Sequence, residues 1–270
     1  MASIADGLYE LGRLDQLAYQ DTPLHRVDPR AKVITTFVFI LCVVSFGKYE
    51  LVPMLPFLIY PIVTAVEGEV PLGWLGSRLL AAAPFAVVVG LFNPLLDQNV
   101  LVQLGPVAVT GGWVSFTSIV VRFLLTVSAA IVLIATTSFS GVCAALERLG
   151  IPDVFATQLL LLYRYIFVLG EEAMRMARAR ELRSFGGRGM GIRVYGQMLG
   201  SLLLRTYARA SRIHEAMLAR GFDGHVRTLR RLDFTSRDLL YVLGWSSVFL
   251  LFRFVDVPML IGSLVTGLVS

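Results

Sequence analysis

Two arginines stand where a guanidinium can do recognition chemistry. Arg183 lies in Leu182-Arg183-Ser184 and Arg220 in Ala219-Arg220-Gly221, each closing a long amphipathic stretch before glycines, Gly186-Gly187 in one case and Gly224 in the other. A guanidinium at an exposed helix end offers a planar fork of donors to carboxylates or backbone carbonyls in a partner's groove. Singly, each arginine reads as an ordinary helix ending, since cations suit the macrodipole there and glycine is a common cap. Their repetition at the ends of successive helices points to docking.

The elements that must hold these arginines are written in the same stretches. Residues 152–185 and 192–221 carry seams at alternating spacings of four and three. One runs Leu162, Ile166, Leu169, Ala173, Met176, Arg180, Arg183; the other runs Leu199, Leu203, Thr206, Ala210, Ile213, Met217, Arg220. That spacing is helical. Ser140 suits the start of a short helix ending at Gly150, and Pro152 suits the first turn of the next. This predicts a module of one short and two long amphipathic helices, each long one about 45 Å, fit to carry force between a bilayer and a soluble partner.

The rest of the chain is built for a membrane. It has 270 residues, 56% hydrophobic and only 16% charged, with a mean hydropathy of +0.72. Apolar stretches fall at 33–46, 51–66, 79–96, 114–139, 154–169 and 239–269, against about 20 helical residues needed to cross a bilayer. Pro53, Pro56 and Pro61 predict a kinked second span. Of the 24 Lys and Arg residues, 15 lie between Arg164 and Arg237, against six acids, which assigns that region to the cytoplasm. The connection 97–113 has no Lys or Arg and is read as external; Arg26, Arg30 and Lys32 put the N-terminal side inside. The expectation is an all-α polytopic membrane protein with about five transmembrane helices, six being the alternative. Its parts are a cytoplasmic N-terminal segment 1–32, a four-span membrane region 33–139, a cytoplasmic coupling-helix module 140–235 and a final span 236–270. No signal peptide is expected.

Several chemistries find no residues to carry them. The only lysines are Lys32 and Lys48, and Gly47-Lys48-Tyr49 is no phosphate loop. His25, His214 and His225 lack paired-ligand spacing, so no metal site is expected, and Cys42 and Cys143 read as inert packing residues. The net charge of +5 sits beside apolar spans, which favours lipid headgroups and protein partners over nucleic acid. Asp28-Pro29-Arg30 reads as a helix start. Arg122 is expensive at membrane depth; it marks function, snorkels, or pairs inside the bundle, for example with Asp97 or Asp256, while Arg253 and Asp256 are close enough for a local structural pair. A membrane enzyme would need convergent ligands or a nucleophile. A self-sufficient secondary carrier would need polar groups in broken midplane helices, for which Asn93-Pro94 and Arg122 are the only candidates.

Taken together, LDQLAYQ and LHRVDPRAKV near the start, IPDVFATQLLLLYRYIFVLGEEAMRMARARELRSFGG, and RIHEAMLARGFDG resemble the transmembrane T component of energy-coupling factor (ECF) transporters, in particular the cobalt-type CbiQ group. The resemblance implies a non-catalytic scaffold joining two CbiO-like ATPase subunits to a CbiM-like substrate-binding membrane subunit, with a CbiN-like one as a further candidate. It implies ATPase docking at Leu182, Arg183, Ser184, Ala219, Arg220 and Gly221, although Leu-Arg-Ser departs from the Ala-Arg-Gly form. It also implies a coupling seam of Ile166, Leu169, Ala173, Met176, Leu203, Ala210, Ile213 and Met217. No cofactor is bound by this chain on that reading; ATP and magnesium belong to the ATPases. The implied substrate is cobalt ion, with nickel or a vitamin as alternatives, and the implied location is the bacterial inner membrane.

The charge distribution makes a direct prediction. Cysteines introduced at Ser270 and Gly187 should be labelled by impermeant reagents from opposite faces of the membrane, with Arg231 on the Gly187 side. Labelling of both from one face would reject five spans.

Overall fold

In the computed structural model the chain is described at residues 7, 12, 13, 15–96, 100–104, 107–183, 191–224, 226 and 234–255, with the backbone alone described at 95, 96, 100–104 and 107–109. The described residues are helical apart from turns and one hairpin. In order they form α1 (Pro29–Val44), a 3-10 helix (Val52–Leu58) running into α2 (Ile59–Glu67), α3 (Leu72–Gly90), α4 (Asn93–Leu96), β1 (Val100–Leu104) and β2 (Val107–Thr110). There follow α5 (Gly111–Thr137), α6 (Phe139–Arg148), α7 (Asp153–Arg183), α8 (Ile192–Ala219) and α9 (Ser236–Phe254). By length and composition α3, α5 and α7 can each cross a membrane, and Val52–Glu67 is a shorter apolar run. The architecture is that of an all-α, multi-pass membrane protein. The chain divides into two compact units, one of Leu17–Ser138 with Leu232–Ser270, the other of Met1–Gln16 with Phe139–Arg231.

The first unit is knit by one short helix. α1 has 16 residues, about 24 Å, less than the roughly 30 Å of a bilayer core. Asp28 caps its start, with Oδ1 accepting the Arg30 N–H at 2.8 Å, and Pro29 needs no N–H partner there. The sequence foretold this local role; the structure adds long-range ones. The Asp28 N–H donates to Asp238 Oδ1 at 2.9 Å, and Asp238 Oδ2 accepts the Thr235 N–H at 2.8 Å in a capping box. One buried carboxylate thus serves the first turns of α1 and α9. Buried Lys32 donates from Nζ to the Thr136 carbonyl, at 2.8 Å, in the last turn of α5. His25 Nε2 donates to Leu17 O at 3.0 Å, and Nδ1 lies 2.7 Å from Thr22 Oγ1.

The other end of α1 is finished by arginines. Arg122 Nη2, from α5, donates to Phe46 O at 3.0 Å and to Gly47 O at 3.3 Å. Arg253, from α9, donates to Ser45 Oγ at 2.8 Å and Ser45 O at 3.2 Å, with its guanidinium 4.6 Å from the Phe46 ring. Both contacts answer the sequence question about these arginines with backbone carbonyls; Asp97 and Asp256 lie outside the described residues. Between the two ends a ring cluster forms the core. Phe39 lies 4.8 Å from Tyr60 and 5.3 Å from Phe249, and Tyr60 lies 5.1 Å from Phe249, within the range that favours edge and offset contacts.

Two boundaries depart from expectation, and one expected kink takes a specific form. Prolines at 53 and 56 remove N–H groups that an α-helix needs, and the expected kink is a 3-10 run in which Pro56 is interior. The third span begins at Leu72 rather than 79, because Pro71 caps a turn that takes in Gly73, Trp74 and Arg78 before the apolar run. The short module helix begins at Phe139, not after Ser140, since Ser138 ends α5 with φ 64° and ψ 155°. The connection between α4 and α5 also holds an antiparallel hairpin, pairing Val102 with Val109 and Leu104 with Val107. Its β-branched alternation supports strands, a short pattern eclipsed by the helical periodicity around it. In α3, Gly90 is required by close packing, because a Cβ there would sit 2.8 Å from the Phe116 ring.

If Asp238 holds the two helix starts together, Asp238→Ala should destabilise the chain by about 2–4 kcal/mol, from a lost cap plus buried donors left unpaired. Asp238→Asn, which turns an amide towards one of two N–H donors, should fall between it and wild type. Denaturant unfolding in detergent micelles measures this; a midpoint unmoved by Asp238→Ala would refute the assignment.

Candidate functional site

The sequence-predicted residues lie in the second unit, which is built on three helices. α6 leads through Gly150, at φ 99°, into α7. Phe139 stacks on Tyr163 at 4.7 Å, and Tyr163 meets Phe167 edge-on at 5.3 Å, which fixes α6 against α7. Cys143 is buried on α6, and that burial pushes its thiol up to about 11, so it stays protonated and unreactive at neutral pH.

α7 and α8 run antiparallel. Thr157 Oγ1 donates to the Gly224 carbonyl at 3.1 Å near one end of the pair. Further along, Glu172 accepts Arg205 Nη1 from α8 at 3.0 Å and Arg175 Nη2 from its own helix at 3.0 Å. Residue 157 therefore lies opposite 224, and 172 opposite 205. Exposed ion pairs of this kind contribute little stability, so Glu172 acts chiefly to set register.

The seams meet in part. Leu162 and Leu169 from α7 and Thr206, Ala210, Ile213 and Met217 from α8 line one groove of about 560 Å³. Of the remaining seam residues, Ile166 and Leu203 are exposed, and Ala173 and Met176 are half-buried outside that groove.

The triplets stand apart. Leu182 and Arg183 end α7 and are exposed; Ser184 lies outside the described residues. Ala219 ends α8, Arg220 is its cap, and Gly221 follows at φ 79°, with Phe222 N–H donating to Met217 O at 3.0 Å and Gly221 N–H to Leu218 O at 2.9 Å. This is a Schellman ending, which asks for glycine at that position. Gly221 thus shapes the helix end, and Arg220 is left exposed on it. Neither Arg183 nor Arg220 has a hydrogen bond or ion pair among the described residues. Because the helices are antiparallel, the triplets sit at opposite ends of the pair. From Thr157, beside the Gly224 end, α7 rises 26 residues to Arg183, about 39 Å.

One feature escaped the sequence reading. Arg205, Arg209 and Arg212 recur at helical spacing on one face of α8, and with Glu172 they line a second cavity of about 340 Å³. The signal is present as spacing, but in the sequence it is masked by the basic content that also marks this stretch as cytoplasmic in the charge rule.

Residues 20–229 match the family model described as CbiQ, cobalt transport protein. The chain is 29% identical to the energy-coupling factor transporter transmembrane protein EcfT of Heliobacterium modesticaldum, over 88% of this chain and 95% of that one. It is 34% identical to the nickel permease LarQ of Lactiplantibacillus plantarum over 44% of each chain, and 33% identical to the cobalt transport protein CbiQ of Rhodobacter capsulatus over 36% of this chain and 40% of that one. With an all-α, multi-pass fold and a family match over most of its length, the chain belongs to the CbiQ cobalt transport protein family, the transmembrane components of energy-coupling factor transporters.

Proposed function

We propose that this chain is the coupling scaffold of an ATP-driven metal-ion importer. Arg183 and Arg220 dock two ATPase subunits, and the α7–α8 pair relays their motion to a substrate-binding membrane subunit. The observation that carries this reading is the geometry of the two triplets. Each ends a helix with an exposed arginine lacking an internal partner among the described residues, and about 39 Å of α7 separates them. Two such ends suit two separate grooves better than one. In each groove, Leu182 and Ala219 add apolar contact beside the charge, while the ending at Gly221 keeps the Arg220 side chain clear of its own helix.

The relay follows from the groove between the seams. Leu162 and Leu169 of α7 and Ala210, Ile213 and Met217 of α8 line one largely apolar groove rather than a dense core, so the helices can shift along one another without breaking close packing. ATP and magnesium act on the partner subunits, which supply the energy; this chain contributes differential binding of two conformations. Residues 140–235 are the cytoplasmic module in this reading, in a bacterial inner membrane.

Cobalt is the proposed cargo, supported by the family model and by the likeness to a cobalt transport protein. Nickel is the competing cargo, favoured by the identity with a nickel permease. Recognition of the ion belongs to a CbiM-like partner subunit.

Arg183→Ala and Arg220→Ala should each weaken ATPase association at least about tenfold, since truncating one partner of a buried charged contact costs roughly 2–5 kcal/mol. The double variant should be worst, and Arg188→Ala with Arg227→Ala serves as the charge control. Pull-down of co-expressed ATPase together with radiolabelled cobalt and nickel uptake reads the effect. Equal impairment by the control pair would make it general electrostatics, and uptake without any ATPase would sink the scaffold reading.

A further inference from the structure

Glu172 is the carboxylate through which α7 engages α8, and its two oxygens serve different helices. Oε2 accepts Arg175 Nη2 from α7 itself at 3.0 Å, and Oε1 accepts Arg205 Nη1 from α8 at 3.0 Å. The first bond travels with α7 whatever α8 does; only the second spans the pair. Glu172 is the sheltered member of that second bond, its side chain 19% exposed against 64% for Arg205. The contact that sets the register therefore ends on a long, solvated arm.

α8 offers that oxygen more than one such arm. Arg205, Arg209 and Arg212 stand at spacings of four and three on one helix face and line the same cavity as Glu172. Arg209 and Arg212 have no hydrogen bond or ion pair among the described residues. Glu172 thus uses one of three like partners. Exchanging one exposed ion pair for another of the same kind costs little, because each contributes little.

The apolar side of the pair repeats at the same interval. Thr206 and Ala210 stand four apart, as Arg205 and Arg209 do, and Leu169 lines one groove with both. A step of four residues along α8, about 6 Å, carries the α7 seam from one small residue to the next while it carries Glu172 from one arginine to the next. Packing and pairing favour the same step. One neutral bond opposes it, from Thr157 Oγ1 to the Gly224 carbonyl at 3.1 Å, which holds the present register at the far end of the pair.

We propose that α7 and α8 have two registers, one with Glu172 on Arg205 and one with Glu172 on Arg209, so that the shift between the helices is a discrete step and not a continuous slide. Jumps of about one turn of one packed element past another are a known form of conformational switch. As a step of the relay this rests on the scaffold reading, in which closure of the ATPases favours one register by differential binding. The existence of the two registers rests on these side chains alone.

The test reads one distance in the full chain. Nitroxide labels go on Ala179→Cys in α7 and Ala216→Cys in α8, both exposed, while the native Cys42 and Cys143 are buried. With 172 opposite 205 on antiparallel helices, 179 lies opposite 198, so the labels are separated by about 27 Å along the axis. Moving Glu172 to Arg209 brings them closer by up to about 6 Å, which pulsed electron resonance resolves. Arg205→Gln should produce that shortening in detergent without nucleotide, whereas Arg205→Lys, which keeps the charge, should hold the wild-type distance. Adding Arg209→Gln and Arg212→Gln to Arg205→Gln should abolish the shortening, with each variant's thermal unfolding checked against wild type. An unmoved distance in Arg205→Gln, the same shortening in Arg205→Lys, or its persistence in the triple variant would overturn the two registers. In the assembled transporter, Arg209→Gln should lower coupled uptake about fivefold or more with ATPase association unchanged; full uptake or lost association would overturn the stepping role. Failure of the scaffold reading shows separately, as a wild-type chain that binds no ATPase.

Discussion

Asp238 accepts the backbone N–H of Asp28 at 2.9 Å and that of Thr235 at 2.8 Å, and through those two bonds one carboxylate begins two helices. The demand behind this arrangement is the bilayer's. Water is absent from the hydrocarbon core, so every backbone N–H and C=O at helix ends there must find a partner within the protein. α1 is too short to bring its own ends to water on both sides, at about 24 Å against a core of about 30 Å. Asp28 and Asp238 finish its start, and Arg122 and Arg253 finish its end through Ser45, Phe46 and Gly47. With both ends satisfied, Phe39 and Val43 are free to face Tyr60, Phe249 and their neighbours and complete the core.

The same lock sits where the chain leaves and re-enters its membrane unit. Departure is at Ser138, two residues after the carbonyl that Lys32 holds, and the return precedes Thr235, which Asp238 caps. Ser138 lies in a region of backbone space that is nearly reserved for glycine, at a cost of about 1–3 kcal/mol, and it is buried there. Such strain persists only when the surroundings fix it, and the bond from Lys32 to Thr136 is part of that surrounding. Two of the three chain crossings between the units, after Ser138 and before Thr235, thereby adjoin these hydrogen bonds.

Much of this was legible in the sequence, because membrane helices and amphipathic helices announce themselves by composition and period. The seams of α7 and α8, and their endings at Arg183 and Arg220, follow from spacing and from glycine. Periodicity names a face, however, and does not say which part of it meets the neighbouring helix. Leu169, Ala210, Ile213 and Met217 line the shared groove, whereas Ile166 and Leu203 do not. Long-range polar partners were the least legible. Nothing local tells that Lys32 will find the last turn of α5 or that Arg122 will find the end of α1, because carbonyls carry no side-chain signature. The hairpin at Val100–Thr110 was passed over for a related reason, its alternation being short beside the long helical patterns around it.

What distinguishes a coupling scaffold from any other bundle is that its two arginine-ended helices must reach two different partners. Disulfide trapping in the assembled transporter tests this most directly, using Arg183→Cys and Arg220→Cys in turn with one cysteine placed in the ATPase groove. The native thiols Cys42 and Cys143 are buried and should stay silent. With two distinguishable ATPase subunits, each position should trap a different one. Trapping of the same subunit from both positions, or of neither, would contradict the claim.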